Sequence, residues 1–138
     1  MNKGSVTILG SGSALPTYQN SPSGQIVSLC DKSFLIDCGE GVQITMRQMG
    51  VHTSRLYSVF ISHLHGDHCF GLIGMLSTFG LLGRTAPLHI YAPVELDDML
   101  SRQLKLFCHD FDYSIVFHAV DTTTQSVIYE DKSLTIES

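Results

Sequence analysis

Apolar and polar residues alternate in several short runs of this chain, and such a period of two is typical of β-strands. Asp31-Lys32 and Glu130-Asp131-Lys132 separate pairs of these runs and supply the turns of two hairpins. Residues 57–61, just before a histidine-rich segment, are apolar apart from Ser58 and include the β-branched Val59 and Ile61, which indicates a buried strand. The predicted strands cover residues 6–9, 25–30, 33–36, 57–61, 88–91, 113–120, 126–129 and 133–136.

Three other segments have the spacing of helices. Residues 41–49 place Val42, Met46 and Met49 on one face before Gly50 ends the helix. Residues 67–83 are apolar nearly all round, which predicts a buried helix in spite of four glycines. Pro93 opens a third helix that runs to about Phe107. The chain therefore predicts an α/β fold in layers, with a mixed sheet.

Composition agrees with one folded domain. The chain has 138 residues, of which 43% are hydrophobic and 15% charged, so it is not disordered. No charged leader precedes an apolar stretch, and residues 69–82 are too short and too rich in glycine to span a bilayer. Four cysteines (Cys30, Cys38, Cys69 and Cys108) form no CxxC pair and are predicted to be buried thiols in a reducing compartment. A cytoplasmic protein without a membrane partner is expected.

The net charge of −5 argues against a general nucleic-acid-coating protein, because phosphate binding needs clustered Lys and Arg. The 8 basic residues are spread evenly along the chain. If the substrate is RNA, most of the electrostatic attraction must come from metal ions, a dimer partner or residues outside this chain.

Four potential metal ligands follow the strand predicted at 57–61, in the segment His63-Leu64-His65-Gly66-Asp67-His68. His63 and His65 point the same way in an extended segment and can share one ion. Gly66 then bends the backbone, so that Asp67 and His68 begin a helix and can reach a second ion. Two such metal ions can clamp the oxygens of a phosphodiester and supply hydroxide, with Asp67 as a proton acceptor. This pattern indicates metal-activated hydrolysis but does not choose the substrate.

Other candidate sites are weaker. The Gly10-Ser11-Gly12 turn lacks the third glycine and the following helix of a dinucleotide-binding loop, so a tight turn near the active site is predicted. Neither Ser11 nor Ser13 lies in the G-x-S-x-G turn of a serine nucleophile. The remaining histidines are isolated in sequence and are predicted to be ordinary surface or half-buried residues: His52, His89, His109 and His118.

Four segments together resemble ribonuclease Z, the tRNA 3′-processing branch of the metallo-β-lactamase superfamily. The segment from His63 to His68 matches the superfamily signature HxHxDH. The more specific likeness extends over essentially the whole chain, in the family's order and spacing. It is carried by residues 9–17, 34–41, 62–71 and 83–88, with Ile90-Tyr91 after them.

The resemblance implies an αβ/βα sandwich with two zinc ions that cleaves precursor tRNA as a homodimer. His63 and His65 correspond to ligands of one zinc ion, and Asp67 and His68 to ligands of the other. Asp67 also corresponds to the general base. Asp37 corresponds to the acidic residue that supports the site by holding a ligand histidine.

The family's further zinc ligands and its RNA-binding arm lie beyond the residues present here. Residues 1–138 are therefore expected to be the N-terminal half of one such domain, with an incomplete active site and no activity alone. Half a sandwich would also expose an apolar sheet face and an unpaired edge. Two alternatives remain: another phosphodiesterase or ester hydrolase of this fold, for example one acting on cyclic nucleotides, or a non-catalytic half-fold that pairs with a complementary chain.

Overall fold

The computed structural model describes residues 3–138 and contains one six-stranded sheet, a separate two-stranded hairpin and four helices. The sheet consists of β1 (Ser5–Gly10), β2 (Gly24–Leu29), β3 (Lys32–Ile36), β4 (Leu56–Phe60), β5 (Leu88–Ala92) and β6 (Ile115–Ala119). The hairpin consists of β7 (Val127–Glu130) and β8 (Thr135–Glu137). The helices are α1 (Val42–Gln48), α2 (Gly66–Cys69), α3 (Leu72–Leu81) and α4 (Glu95–Phe107).

The order of the strands in the sheet explains where the helices lie. β1, β2 and β3 pair antiparallel, whereas β3 through β6 pair parallel and follow one another across the sheet. Because parallel crossovers are right-handed, connections that all advance in one direction place their helices on one face. That face holds the hydrophobic core, in which Met46, Met75 and Phe79 of the helices meet Val59 and Ile90 of the strands.

The opposite face of the sheet carries a row of aromatic rings under the hairpin. The Tyr129 ring lies 5.4 Å from the ring of Phe34 and also contacts Tyr57, Phe60 and Tyr91. An ion pair of 2.8 Å between Lys32 Nζ and Asp131 Oδ2 holds the hairpin turn. The hairpin does not cover the whole of this face, since Val6 of β1 remains 62% exposed.

The predicted α/β class and every predicted strand are confirmed, with shifts of one or two residues at most ends. The single helix predicted over residues 67–83 is wrong, because the structure divides it into α2 and α3. Gly71 N–H donates to the carbonyl of Cys38 at 3.0 Å, and Cys38 N–H donates to the carbonyl of His68 at 2.7 Å. A continuous helix would need both groups for its own hydrogen bonds. The loop after β3 therefore interrupts it.

Two predictions about burial need correction. Met49, predicted on the apolar face of α1, is 52% exposed because it follows the last helical residue. Of the four thiols, Cys38 and Cys69 are buried, but Cys30 is exposed at the turn between β2 and β3 and Cys108 is only half-buried. None of the four is in a disulfide. Within residues 3–138, no helix has the length and hydropathy needed to cross a membrane.

His89 and His118 are half-buried, as predicted, but in the structure they lie next to each other. His89 Nδ1 lies 2.9 Å from His118 Nε2, and both rings belong to the aromatic row. His118 is opposite Tyr91 in the β5–β6 pairing, and the two rings stack at 4.3 Å. Burial, and then the neighbouring His89, lower the pKa of His118 below its ordinary value.

Replacing Gly71 by Ala should destabilise the fold. A Cβ at this position would overlap the carbonyl oxygen of Gly39, so two backbone segments must separate. We expect a loss of about 3 kcal/mol in the free energy of unfolding, measured by urea denaturation. Gly74→Ala is the matched control on the same helix, since its Cβ meets nothing closer than Gln43 Nε2 at 3.4 Å. That variant should gain about 0.5–1 kcal/mol, and equal losses in both would contradict the close approach.

The free energy of unfolding should fall in acid because of His118. Its pKa is lower in the folded than in the unfolded state, so the unfolded chain binds the proton more tightly. The contribution is complete above the unfolded value of about 6.5 and is lost as pH falls through the lower folded value. His118→Phe, which keeps a ring stacked on Tyr91, should lose less stability between about pH 7.5 and pH 5.5. The exposed His109 is the control: His109→Gln should behave as the parent chain.

Candidate metal centre

The histidine cluster occupies the connection from β4 to α3, at the edge where the parallel strands end. His63 and His65 lie in the extended segment after β4, and α2 begins at Gly66, so Asp67 and His68 lie in its first turn. The His63 ring centre is 4.6 Å from that of His65 and 4.0 Å from that of His68. The structure thus brings together the three predicted imidazoles.

Asp37 lies at the neighbouring strand end and connects the cluster to the sheet. It follows β3 with a φ of 60°, a left-handed conformation that Asp tolerates better than most residues. Its backbone N–H donates to the carbonyl of Phe60 at 2.8 Å, which ties the end of β3 to the end of β4. The side chain is buried and points toward the histidines.

The Asp37 carboxylate accepts from three segments of the chain. His68 Nδ1 lies 2.7 Å from Asp37 Oδ2. Ser62 approaches twice, with its backbone N–H 2.8 Å from Oδ1 and its Oγ 2.9 Å from Oδ2. Ser23 Oγ is farther away, at 3.3 Å from Oδ2. A buried carboxylate with this many donors is both satisfied and fixed in place.

The contact with Asp37 determines how His68 presents its other nitrogen. A carboxylate can only accept, so the imidazole proton lies on Nδ1 and Nε2 keeps its lone pair. His68 Nε2 is 3.4 Å from Asp67 Oδ2. Two ligands of a tetrahedral zinc ion, each about 2.0–2.1 Å from the metal, are about 3.3 Å apart. The separation of this pair therefore suits one shared cation.

Asp67 is oriented by the glycine-containing turn after β1. The backbone N–H of Ala14 donates to Asp67 Oδ2 at 3.0 Å, across 53 positions of sequence. This hydrogen bond, and then the nearby His68 and His65, lower the pKa of the Asp67 carboxyl below its ordinary value. Ala14 itself has a φ of 51°. The turn after β1 thus lies beside the histidine cluster.

The donor set fits zinc in its chemistry, with imidazole nitrogens and a carboxylate oxygen as ligands. The arrangement is not a finished site: within residues 3–138, no group of three or more His, Cys, Asp or Glu side chains could hold a metal ion. The rings are gathered, and the Asp67–His68 pair has the separation of ligands to a shared ion. His52 and His109 are exposed and lie outside the cluster.

Three contributors to the site were not among the predicted site residues. Ser62 lies between Asp37 and the histidines, with its Oγ 3.0 Å from His63 Nδ1. Its signals in the sequence were its place directly before His63 and its position in a segment that carries the family likeness. Ser23 contacts Asp37 from a separate segment, and Ala14 contributes through its backbone, which no side-chain pattern can reveal.

Comparison with known proteins places this chain in a family. The family described as Anti-Pycsar protein Apyc1 matches residues 5–135. Ribonuclease Z of Bacteroides fragilis is 54% identical over 136 residues, which are 99% of this chain and 45% of that protein. The chain therefore spans less than half the length of this curated relative.

Two solved structures have the same architecture. The short form of human tRNase Z (ELAC1) superposes with a TM-score of 0.87 at 29% identity, covering 98% of this chain and 59% of that one. The metallo-β-lactamase fold protein YhfI of Bacillus subtilis gives a TM-score of 0.62 at 25% identity, covering 89% of this chain and 47% of that one. The predicted resemblance and fold are confirmed.

Proposed function

The chain belongs to the anti-Pycsar protein Apyc1 family and has the metallo-β-lactamase fold of ribonuclease Z, and from this premise we propose that it is part of a zinc-dependent endoribonuclease that removes the 3′ trailer from precursor tRNA. Residues 1–138 would be the N-terminal portion of its single catalytic domain. The observation that carries the proposal is the gathering of three imidazoles and two carboxylates at the ends of β3 and β4.

Each ligand has a defined part in this proposal. His63 and His65 would hold one zinc ion, and Asp67 and His68 the other. When bound, the two ions would lower the pKa of a bound water and neutralise charge that develops on the phosphodiester. Asp67 enters the reaction ionised, because Ala14 N–H and the histidines stabilise its carboxylate, and it accepts the proton of the attacking water. Asp37 keeps His68 oriented.

The proposal also covers the setting of the enzyme. A homodimer is supported by exposed apolar side chains on and beside the helices at 42–48 and 72–81, where Ile44 is 57% and Leu81 87% exposed. A cytoplasmic location fits a tRNA-processing enzyme. With a net charge of −5, this chain contributes little cationic surface for the tRNA, so most of the attraction must come from the metal ions, the dimer partner or residues outside it.

A second candidate is a different phosphodiesterase of the same fold. It is favoured by the family description, which names no ribonuclease. The same cluster could serve a small phosphodiester such as a cyclic nucleotide, because fold alone does not fix the substrate.

A cleavage assay separates the two candidates. We expect this chain, combined with the remaining part of the Bacteroides fragilis relative, to release the 3′ trailer from precursor tRNA. His63→Ala should lower the rate at least ~100-fold, since a metal ligand is lost. His52→Ala is the control, because the exposed His52 lies outside the cluster. Faster turnover of a cyclic nucleotide than of precursor tRNA would favour the second candidate.

Zinc binding by the chain alone should be weak. Its four cluster ligands cannot complete two tetrahedral sites. Isothermal titration calorimetry should therefore give an affinity in the micromolar range or poorer, and no turnover of precursor tRNA. A tight stoichiometry of two zinc ions would contradict this prediction and would mean that other residues of the chain complete the site.

A further inference from the structure

Ser62 lies where a single hydroxyl touches both the buried carboxylate and the histidine cluster. Its Oγ is 2.9 Å from Asp37 Oδ2, 3.0 Å from His63 Nδ1 and 3.5 Å from His68 Nδ1. A hydroxyl has one proton to donate and two lone pairs that accept. The direction of each of these contacts is therefore fixed once the proton is assigned.

The Ser62 hydroxyl donates its hydrogen bond to Asp37. Because Asp37 can only accept, a contact of 2.9 Å between two oxygens requires the hydroxyl to donate, and an ionised acceptor makes the stronger bond. The backbone N–H of Ser62 reaches the other oxygen of the same carboxylate and holds the residue in register. The Ser62 hydroxyl then has only lone pairs to offer the imidazoles.

His63 must accordingly be the donor to Ser62. Its Nδ1 carries the proton, and its Nε2 keeps the lone pair that a metal ion needs. His68 reaches the same tautomer through its direct contact with Asp37 at 2.7 Å. One carboxylate thus sets the tautomers of two histidines, one directly and one through a hydroxyl.

We propose that Ser62 is a positioning residue. It donates a hydrogen bond to Asp37 and accepts one from His63 Nδ1, and so fixes the tautomer in which His63 Nε2 is free to bind metal. The metal-binding consequence rests on the function proposed above, whereas the tautomer is a property of the metal-free chain. Ser62 acts through His63 and does not itself touch a reacting atom.

The tautomer is read directly by long-range ¹H–¹⁵N NMR of the metal-free, ¹⁵N-labelled chain at about pH 8, above the ordinary histidine pKa of about 6.5. We expect a protonated Nδ1 on His63 in the parent chain and in Ser62→Thr, which keeps the hydroxyl at an exposed position. In Ser62→Ala the His63 proton should redistribute toward Nε2, while His68 keeps its Nδ1 proton. Ser23→Ala is the matched control, because it removes another hydroxyl from Asp37 Oδ2 without touching His63.

Zinc titration of the same variants gives the second readout. The affinity should fall about 10-fold in Ser62→Ala and recover in Ser62→Thr, as expected for a residue that orients a ligand. A His63 proton on Nε2 in the parent chain, or a tautomer that is unchanged in Ser62→Ala, would overturn the proposal. If the tautomers behave as expected but Ser62→Ala and the parent chain bind zinc equally well, the metal-binding consequence fails and the role of Ser62 in setting the tautomer stands.

Discussion

The site depends on one buried carboxylate. Asp37 accepts from Ser62, His68 and Ser23, and its backbone N–H ties β3 to β4. Its position demands two properties at once: a left-handed backbone, which Asn or Gly would also adopt, and an acceptor-only side chain with several lone pairs, which Glu would also supply. Only Asp combines both. The position of the loop after β4 is therefore fixed by Asp37, which lies before helix α1 and strand β4 in the sequence.

Close backbone packing supports the same arrangement from the helix side. A Cβ on Gly71 would overlap the backbone of Gly39, and a Cβ on Gly39 would meet Pro22 and the carbonyl of Asp67. Cys38 exchanges hydrogen bonds with His68 and Gly71. These contacts divide what would be one helix into α2 and α3. His68 of α2 contacts Asp37, and Asp67 of α2 contacts the backbone of Ala14.

Local patterns were enough to predict the strands, because alternation and turn residues act within a few positions. The histidine cluster was equally visible, since its members are adjacent in sequence. The helix break could not be predicted, because it depends on the carbonyl of Cys38, more than thirty positions before Gly71. The pairing of His89 with His118 likewise needs the register of β5 and β6. The contact between Asp37 and His68 was expected only through family resemblance, and that of Ala14 with Asp67 was not expected.

The one-directional order of the parallel strands has an evolutionary consequence. All of the contacts around Asp37 come from the helix-bearing layer and its loops, and none comes from the β7–β8 hairpin. The hydrogen bonds that hold the histidine cluster are therefore independent of the hairpin. Under the proposed function, the sequence of this covering layer is free to vary during evolution while the metal-binding side chains keep their arrangement.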